Sequence, residues 1–185
     1  MSPVPRRAAL ALLLLPLLTG AAEAPPEPES YRMEDYRAPV PQTLAGATVL
    51  DTEAAERLWR EGRAVFVDVL PRPPKPANLP PGTIWHDKRR DDIPGSVWLP
   101  NVGYGALSED MDRYFRRSLD AITGGDANRP LVFYCQAECW MSWNAAKRAL
   151  DYGYVHVAWY PDGTDGWERA NLPTEEAQPE PRPEP

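Results

Sequence analysis

Between residues 47 and 170, short apolar runs alternate with amphipathic stretches, and no other feature constrains the fold as tightly. The spacing predicts strands over 47–50, 64–69, 96–99, 131–134 and 155–159. It predicts helices over 52–61, 108–122, 142–152 and 165–170. Asp51 or Thr52 can cap the first helix, and Gly62 can end it. Ser108 can cap the second, which Gly124 and Gly125 stop; its apolar stripe is Met111, Tyr114, Phe115, Leu119 and Ile122. The strand AVFVDV, apolar but for Asp68, and the wholly apolar LVFY have the pattern of strands buried on both faces. Such an order implies an α/β fold, a small parallel sheet flanked by helices on both faces. One irregular insertion, 70–92, carries PRPPKP, LPPG and HDKRRDD; a loop that long is functional or mobile.

The ends of the chain read differently. Arg6 and Arg7, an apolar run over 8–18 and the small pair Ala22 and Ala24 have the layout of a signal peptide over 1–24. The apolar run is shorter than the roughly 20 residues a spanning helix needs, so no stable membrane insertion is expected. The expected setting is exported and periplasmic. Residues 25–46 form an extended, Pro- and Glu-rich leader, draped on the domain through Tyr31 and Tyr36. Residues 47–173 make the domain, and 174–185, ending in QPEPRPEP, a disordered acidic tail. Loss of Arg6, Arg7 and Glu23 takes the net charge from −7 to −8. An acidic chain is a poor ligand for nucleic acid or an anionic membrane.

The only two cysteines, Cys135 and Cys139, sit where the strand LVFY ends and a helix is about to begin. A bridge across so few residues constrains little of the unfolded chain, which favours chemistry over stapling. At the carboxyl end of a parallel strand, loop N–H groups and the following helix favour an anion, here a thiolate or persulfide. Such settings lower a cysteine pKa from about 8.5 into roughly the 3.5–7.5 range. Cys135 and Cys139 are the candidate catalytic residues. Gln136, Ala137, Glu138, Trp140, Met141 and Ser142 are the candidate substrate- or anion-binding loop. No cofactor and no resident metal are expected. A C-x-x-x-C pair can hold Cu(I), but only His86 and His156 could add a third ligand.

At the cysteine loop the sequence resembles the rhodanese (sulfurtransferase) family. AVFVDV with its Asp68, the stretch DDIPGSVWLP and the ending YGYVHVAWYPDGTDGWERANLP follow the family's order. The resemblance implies a rhodanese-like fold and a persulfide carried on Cys135. The stretches CWMSWNAAKRAL and WYPDGTDGW are similar to an exported subgroup named for a CXXCW motif and tied to pyrroloquinoline quinone (PQQ)-dependent catabolism. That likeness implies a quinoprotein dehydrogenase or cytochrome partner beside a small sulfur-containing donor. Three residues separate the cysteines here, where the motif has two. The loop also lacks the arginine usual in active sulfurtransferases, and Glu138 adds a negative charge, so Lys88, Arg89, Arg90, Lys147 or Arg148 would have to hold a donor anion. Three uses of the site follow: sulfur transfer, thiol–disulfide exchange, and a non-enzymatic accessory role with aromatics such as Trp85 forming a contact surface.

Overall fold

A computed structural model describes residues 24–86 and 88–181. Apart from Ala24, the expected signal segment lies outside these residues. Among these residues, seven strands and four helices follow one another as β1 (Thr48–Val49), α1 (Thr52–Arg60), β2 (Val65–Asp68), β3 (Asp91–Asp92), β4 (Val97–Trp98), α2 (Glu109–Thr123), β5 (Leu131–Tyr134), α3 (Trp140–Asp151), β6 (Val157–Tyr160), α4 (Gly163–Arg169) and β7 (Glu175–Glu176). Five strands form a parallel sheet in the order β1-β6-β5-β2-β4. This is the α/β architecture that the alternation predicts.

The period-two alternation of the central strands divides the core. Leu131 and Phe133 of β5, with Val157 and Trp159 of β6, join Phe115, Leu119 and Trp143 from α2 and α3. Val132 and Tyr134, with Ala158 and Tyr160, join Ala55, Leu58 and Trp167 from α1 and α4. Cys135 is next in the alternation after Phe133, so it falls on the α2–α3 side and is fully buried.

Local signals act as read for two helices. Asp51 accepts the Ala54 N–H at 2.8 Å, and Ser108 accepts the Met111 N–H at 3.3 Å. Gly124 closes α2 in the left-handed region at φ 66°. α3 differs. It begins at Trp140, two residues before the expected start, and its N-cap Cys139 makes no side-chain capping bond. The carbonyl of Tyr36, in the leader, takes the Trp140 N–H at 2.9 Å instead. β6 begins at Val157, two residues later than expected, and leaves His156 exposed.

A correction concerns the tail. Its first residues lie against the domain: β7 pairs antiparallel with β3, and Pro179 bridges to Trp98 on β4, the edge of the main sheet. The N–H groups of Ala177 and Glu180 bond the carbonyls of Arg90 and Trp98 at 2.8 and 2.9 Å. Backbone pairing holds a segment whose composition alone argues for disorder, and it covers the open sheet edge.

Candidate functional site

Cys135 and Cys139 are joined in a disulfide, and both are buried, at 0% and 2% exposure. Two sets of contacts fix this loop. From behind, the Cys135 carbonyl accepts the Thr164 N–H at 3.1 Å, the Thr164 hydroxyl at 3.3 Å and Arg90 Nη2 at 3.4 Å. Gly163 makes this approach possible. A Cβ there would stand 2.5 Å from the Cys135 carbonyl oxygen, and its φ is +50°. From in front, the leader crosses the loop. Arg37 pairs with Cys139 in a ladder bridge, and its guanidinium donates to Gln136 Oε1 at 3.2 Å and the Ala137 carbonyl at 3.0 Å.

The expected loop residues divide by depth. Gln136 and Ala137 are half-buried and Glu138 is exposed, in the left-handed region at φ 52°. Ala137 N–H donates to Asp165 Oδ2 at 3.2 Å. Trp140, Met141 and Ser142 are buried. Trp140 Nε1 donates to the Pro39 carbonyl at 3.1 Å, in the leader. Ser142 Oγ donates to the Cys139 carbonyl at 3.1 Å and accepts Trp159 Nε1 at 3.0 Å. Two of the loop's N–H donors, those of Ala137 and Trp140, are thus held by a carboxylate and a leader carbonyl.

The basic residues proposed as compensation have distinct places. Arg148 is buried and donates to the carbonyls of Val102 and Gly105 at 3.1 and 2.8 Å. Lys147 lies over the Trp143 ring, 5.7 Å from its centroid. Arg89 is exposed and paired with Asp91 at 2.6 Å and Glu176 at 3.3 Å. Arg90 is buried, with Nε 2.5 Å from Asp68 Oδ2 and Nη1 3.2 Å from the Thr164 hydroxyl. Burial opposes the charge on Arg90, but the Asp68 carboxylate outweighs it and holds the guanidinium above its ordinary pKa. The Lys88–Arg90 run therefore contains the residue linking the end of β2 to the end of β5.

Lys88, Arg89, Arg90 and Arg72 line a cleft of about 200 Å³ that reaches Gln136 at the start of the cysteine loop. Asp91 and Glu168 also line it, so its cations outnumber its carboxylates, against the sign of the whole chain. Arg72 and Trp98 connect this cleft to the insertion and to the sheet edge. Trp85, from the insertion, is half-buried beside a larger open groove of about 750 Å³ that Tyr104 and Pro179 share.

Beside the ion pair, Asp92 is 1% exposed and its Oδ2 has no hydrogen-bond partner among the described residues. Burial, then the neighbouring Asp68 carboxylate, push its carboxyl up to about 7, against the pull of Arg90. The Tyr134 hydroxyl lies in the same buried patch; it donates to Ser96 Oγ at 2.7 Å and accepts the Ile93 N–H at 3.1 Å. Sequence reading missed Asp92 as an acid, Thr164, and the leader's hold on the loop. Only Asp68, at the end of its strand, signalled this second cluster.

Among the described residues, no group of three or more His, Cys, Asp or Glu side chains is placed to hold a metal ion. Nor is any described helix long and apolar enough to cross a membrane.

Comparison with known proteins places the fold. Residues 51–170 match the sequence pattern of the rhodanese-like domain family. Among curated proteins, none matches the chain. Among solved structures, a thiosulfate sulfurtransferase from Pseudomonas aeruginosa is 20% identical with a TM-score of 0.47, over 72% of this chain and 21% of that one. This chain thus spans about a fifth of that protein's length. A polysulfide-sulfur transferase homodimer from Wolinella succinogenes is 19% identical with a TM-score of 0.43, over 71% of this chain and 80% of that one. A human single-domain sulfurtransferase is 20% identical with a TM-score of 0.42, over 66% of this chain and 96% of that one.

Proposed function

The chain belongs to the rhodanese-like domain family, and from that membership we propose that it carries sulfane sulfur as a persulfide on Cys135. The observation that carries this reading is the place of Cys135, at the carboxyl end of β5, one short loop before α3. There, the reduced thiolate would attack the outer sulfur of a donor such as thiosulfate. The donor's S–S bond breaks, sulfite leaves with the electron pair, and Cys135 keeps the sulfur. The cationic cleft ending at Gln136 is the approach for such an anion. Cys139 thiolate can then attack Cys135 Sγ and expel hydrosulfide, which leaves the disulfide seen here.

The disulfide itself supports a second reading, thiol–disulfide exchange with an exported partner. An oxidising compartment would preserve the bond, in keeping with export to the periplasm. The likeness of CWMSWNAAKRAL to the CXXCW proteins supports a setting in PQQ-dependent catabolism, beside a quinoprotein dehydrogenase or its cytochrome.

Intact mass decides between transfer and exchange. The reduced protein is incubated with thiosulfate beside a Cys135→Ser variant. A gain of one sulfur atom that the variant lacks establishes the persulfide. Loss of two hydrogens in air, with no sulfur gained, leaves the exchange reading.

A further inference from the structure

We propose that residues 31–44 form a strap that shuts the cysteine site while the disulfide is intact, and that a dithiol reductant opens the site by attacking Cys139. This rests on the reading of Cys135 as a sulfur carrier and adds the control of that site.

The strap is held by the elements that carry the chemistry. α3 supplies most of the grip. Trp140 Nε1 bonds the Pro39 carbonyl and Trp143 Nε1 the Thr43 carbonyl, each at 3.1 Å. Asn144 clasps the backbone of Arg32 from both sides, accepting its N–H and donating to its carbonyl, each at 2.9 Å. The cysteine loop adds Arg37 and its two acceptors, and the turn after β4 adds the Gly105 N–H, which donates to the Tyr36 hydroxyl at 3.1 Å.

Two consequences follow from this placement. The Tyr36 carbonyl caps α3 by accepting the Trp140 N–H, a position where the helix end would otherwise favour a bound anion. The strap therefore occupies a donor that a thiolate, persulfide or substrate oxygen would use. Its ladder bridge to Cys139 also sets it across that cysteine, whereas Cys135 is anchored from the opposite side by Thr164 and Arg90. Lifting the strap uncovers Cys139 first.

The order of bond changes follows. One thiolate of the reductant attacks Cys139 Sγ, the Cys135–Cys139 bond breaks, and Cys135 leaves as a thiolate. The second thiol of the reductant gives up its proton and closes the reductant's own disulfide, releasing Cys139 as a thiolate that takes up a proton. Two electrons pass to the cysteine pair. Cys135 is then the free nucleophile beside the start of α3. With the bond gone, the turn through Glu138 is no longer pinned, and the acceptors that hold Arg37 are free to shift.

The test uses the full oxidised chain in increasing dithiothreitol, with alkylation and intact mass to follow the open pair. If strap lifting gates attack, the reduction rate levels off at high dithiothreitol. Arg37→Ala, at an exposed position, and Trp140→Phe, which removes one strap bond, should each raise the plateau at least five-fold. Hydrogen exchange at the Trp140 amide should lose at least ten-fold of its protection on reduction. A rate that stays proportional to dithiothreitol and equal in wild type and Arg37→Ala overturns the strap, as does a Trp140 amide equally protected in both redox states. Persulfide formation by pre-reduced protein is measured separately. Its absence sinks sulfur transfer and leaves the gating result standing, while normal persulfide formation with ungated reduction sinks the strap alone.

Discussion

The two ends of the described chain cover neighbouring parts of the molecule in opposite ways. The leader lies on the cysteine loop and α3 through matched donors and acceptors: indole N–H to carbonyl, amide to backbone, guanidinium to carbonyl. The tail lies on β3 with like charges face to face. Asp91 stands opposite Glu176 and Asp92 opposite Glu175. Carboxylates directly across a ladder repel, and Arg89, between Asp91 and Glu176, relieves the outer pair. The cation nearest the inner pair, Arg90, is committed to Asp68. A matched cover is released by changing what it lies on; a mismatched one is held or lost according to protonation.

The buried ion pair beneath both covers gives the largest expected effect. Arg90→Ala leaves the Asp68 carboxylate buried with the Leu70 N–H as a remaining donor, and breaking such a pair costs about 3–5 kcal/mol. Replacing both partners, Asp68→Leu with Arg90→Met, should recover most of that loss, because no buried charge is left alone. Urea unfolding of the single and double variants checks this. Equal losses in both would show that Arg90 matters for its bonds to Thr164 and the Cys135 carbonyl and not for its charge.

The tail should respond to pH where the leader does not. Asp92 faces Asp68, Arg90, Asp91 and Glu175, with the Tyr134 hydroxyl in the same patch. The folded protein keeps its proton up to about pH 7, against an ordinary value of 3.8. The folded state thus binds the extra proton, so this contribution is full below about pH 4 and is lost as pH rises through 7. Protection of the Ala177 and Glu180 amides against exchange should fall across that window, by at most about tenfold per pH unit, and level off above it. In Asp92→Asn the profile should be flat. A wild-type profile as flat as the variant's would remove Asp92 as the cause.

The sequence makes the central frame legible because burial on both faces leaves unbroken apolar runs: LVFY is β5 from end to end. Helices with their own caps, α1 and α2, are read to within one residue at each end. α3 is not, because its cap is a backbone carbonyl supplied by the distant Tyr36, and no residue type encodes that. The β3–β7 pair is hidden for a stronger reason, since opposed Asp and Glu residues argue against pairing. Cys135 and Cys139 stand out as a candidate site from their place in the strand–helix order. The buried role of Arg90 does not, because its neighbours Lys88 and Arg89 are exposed and nothing in the run of three cations sets it apart.

Behind the cysteine, the close approach of Gly163 offers a smaller break. In Gly163→Ala the new methyl meets the Cys135 backbone, which cannot swing aside as a side-chain end would. Overpacking of this kind costs about 1–3 kcal/mol. Thermal unfolding should show the loss, and disulfide reduction should quicken as the Thr164 and Arg90 bonds to the Cys135 carbonyl loosen. Reduction at the wild-type rate would mean that only the leader side controls the bond.

The smallest effect sharpens the comparison at the turn where leader and loop meet. Glu138 is exposed and sits in the left-handed region, with the disulfide closing the turn around it. An L-residue with a side chain is disfavoured there by roughly 1–2 kcal/mol, and glycine is not. Glycine also has more freedom to lose on folding, which offsets part of the gain. Glu138→Gly should therefore stabilise the oxidised protein by up to about 1 kcal/mol in urea unfolding. The gain should shrink in the reduced protein, where the turn is free to leave this conformation. An equal gain in both states would show that the backbone, and not the disulfide, holds Glu138 in place, and that the loop keeps its shape for the leader whether or not the cysteines are joined.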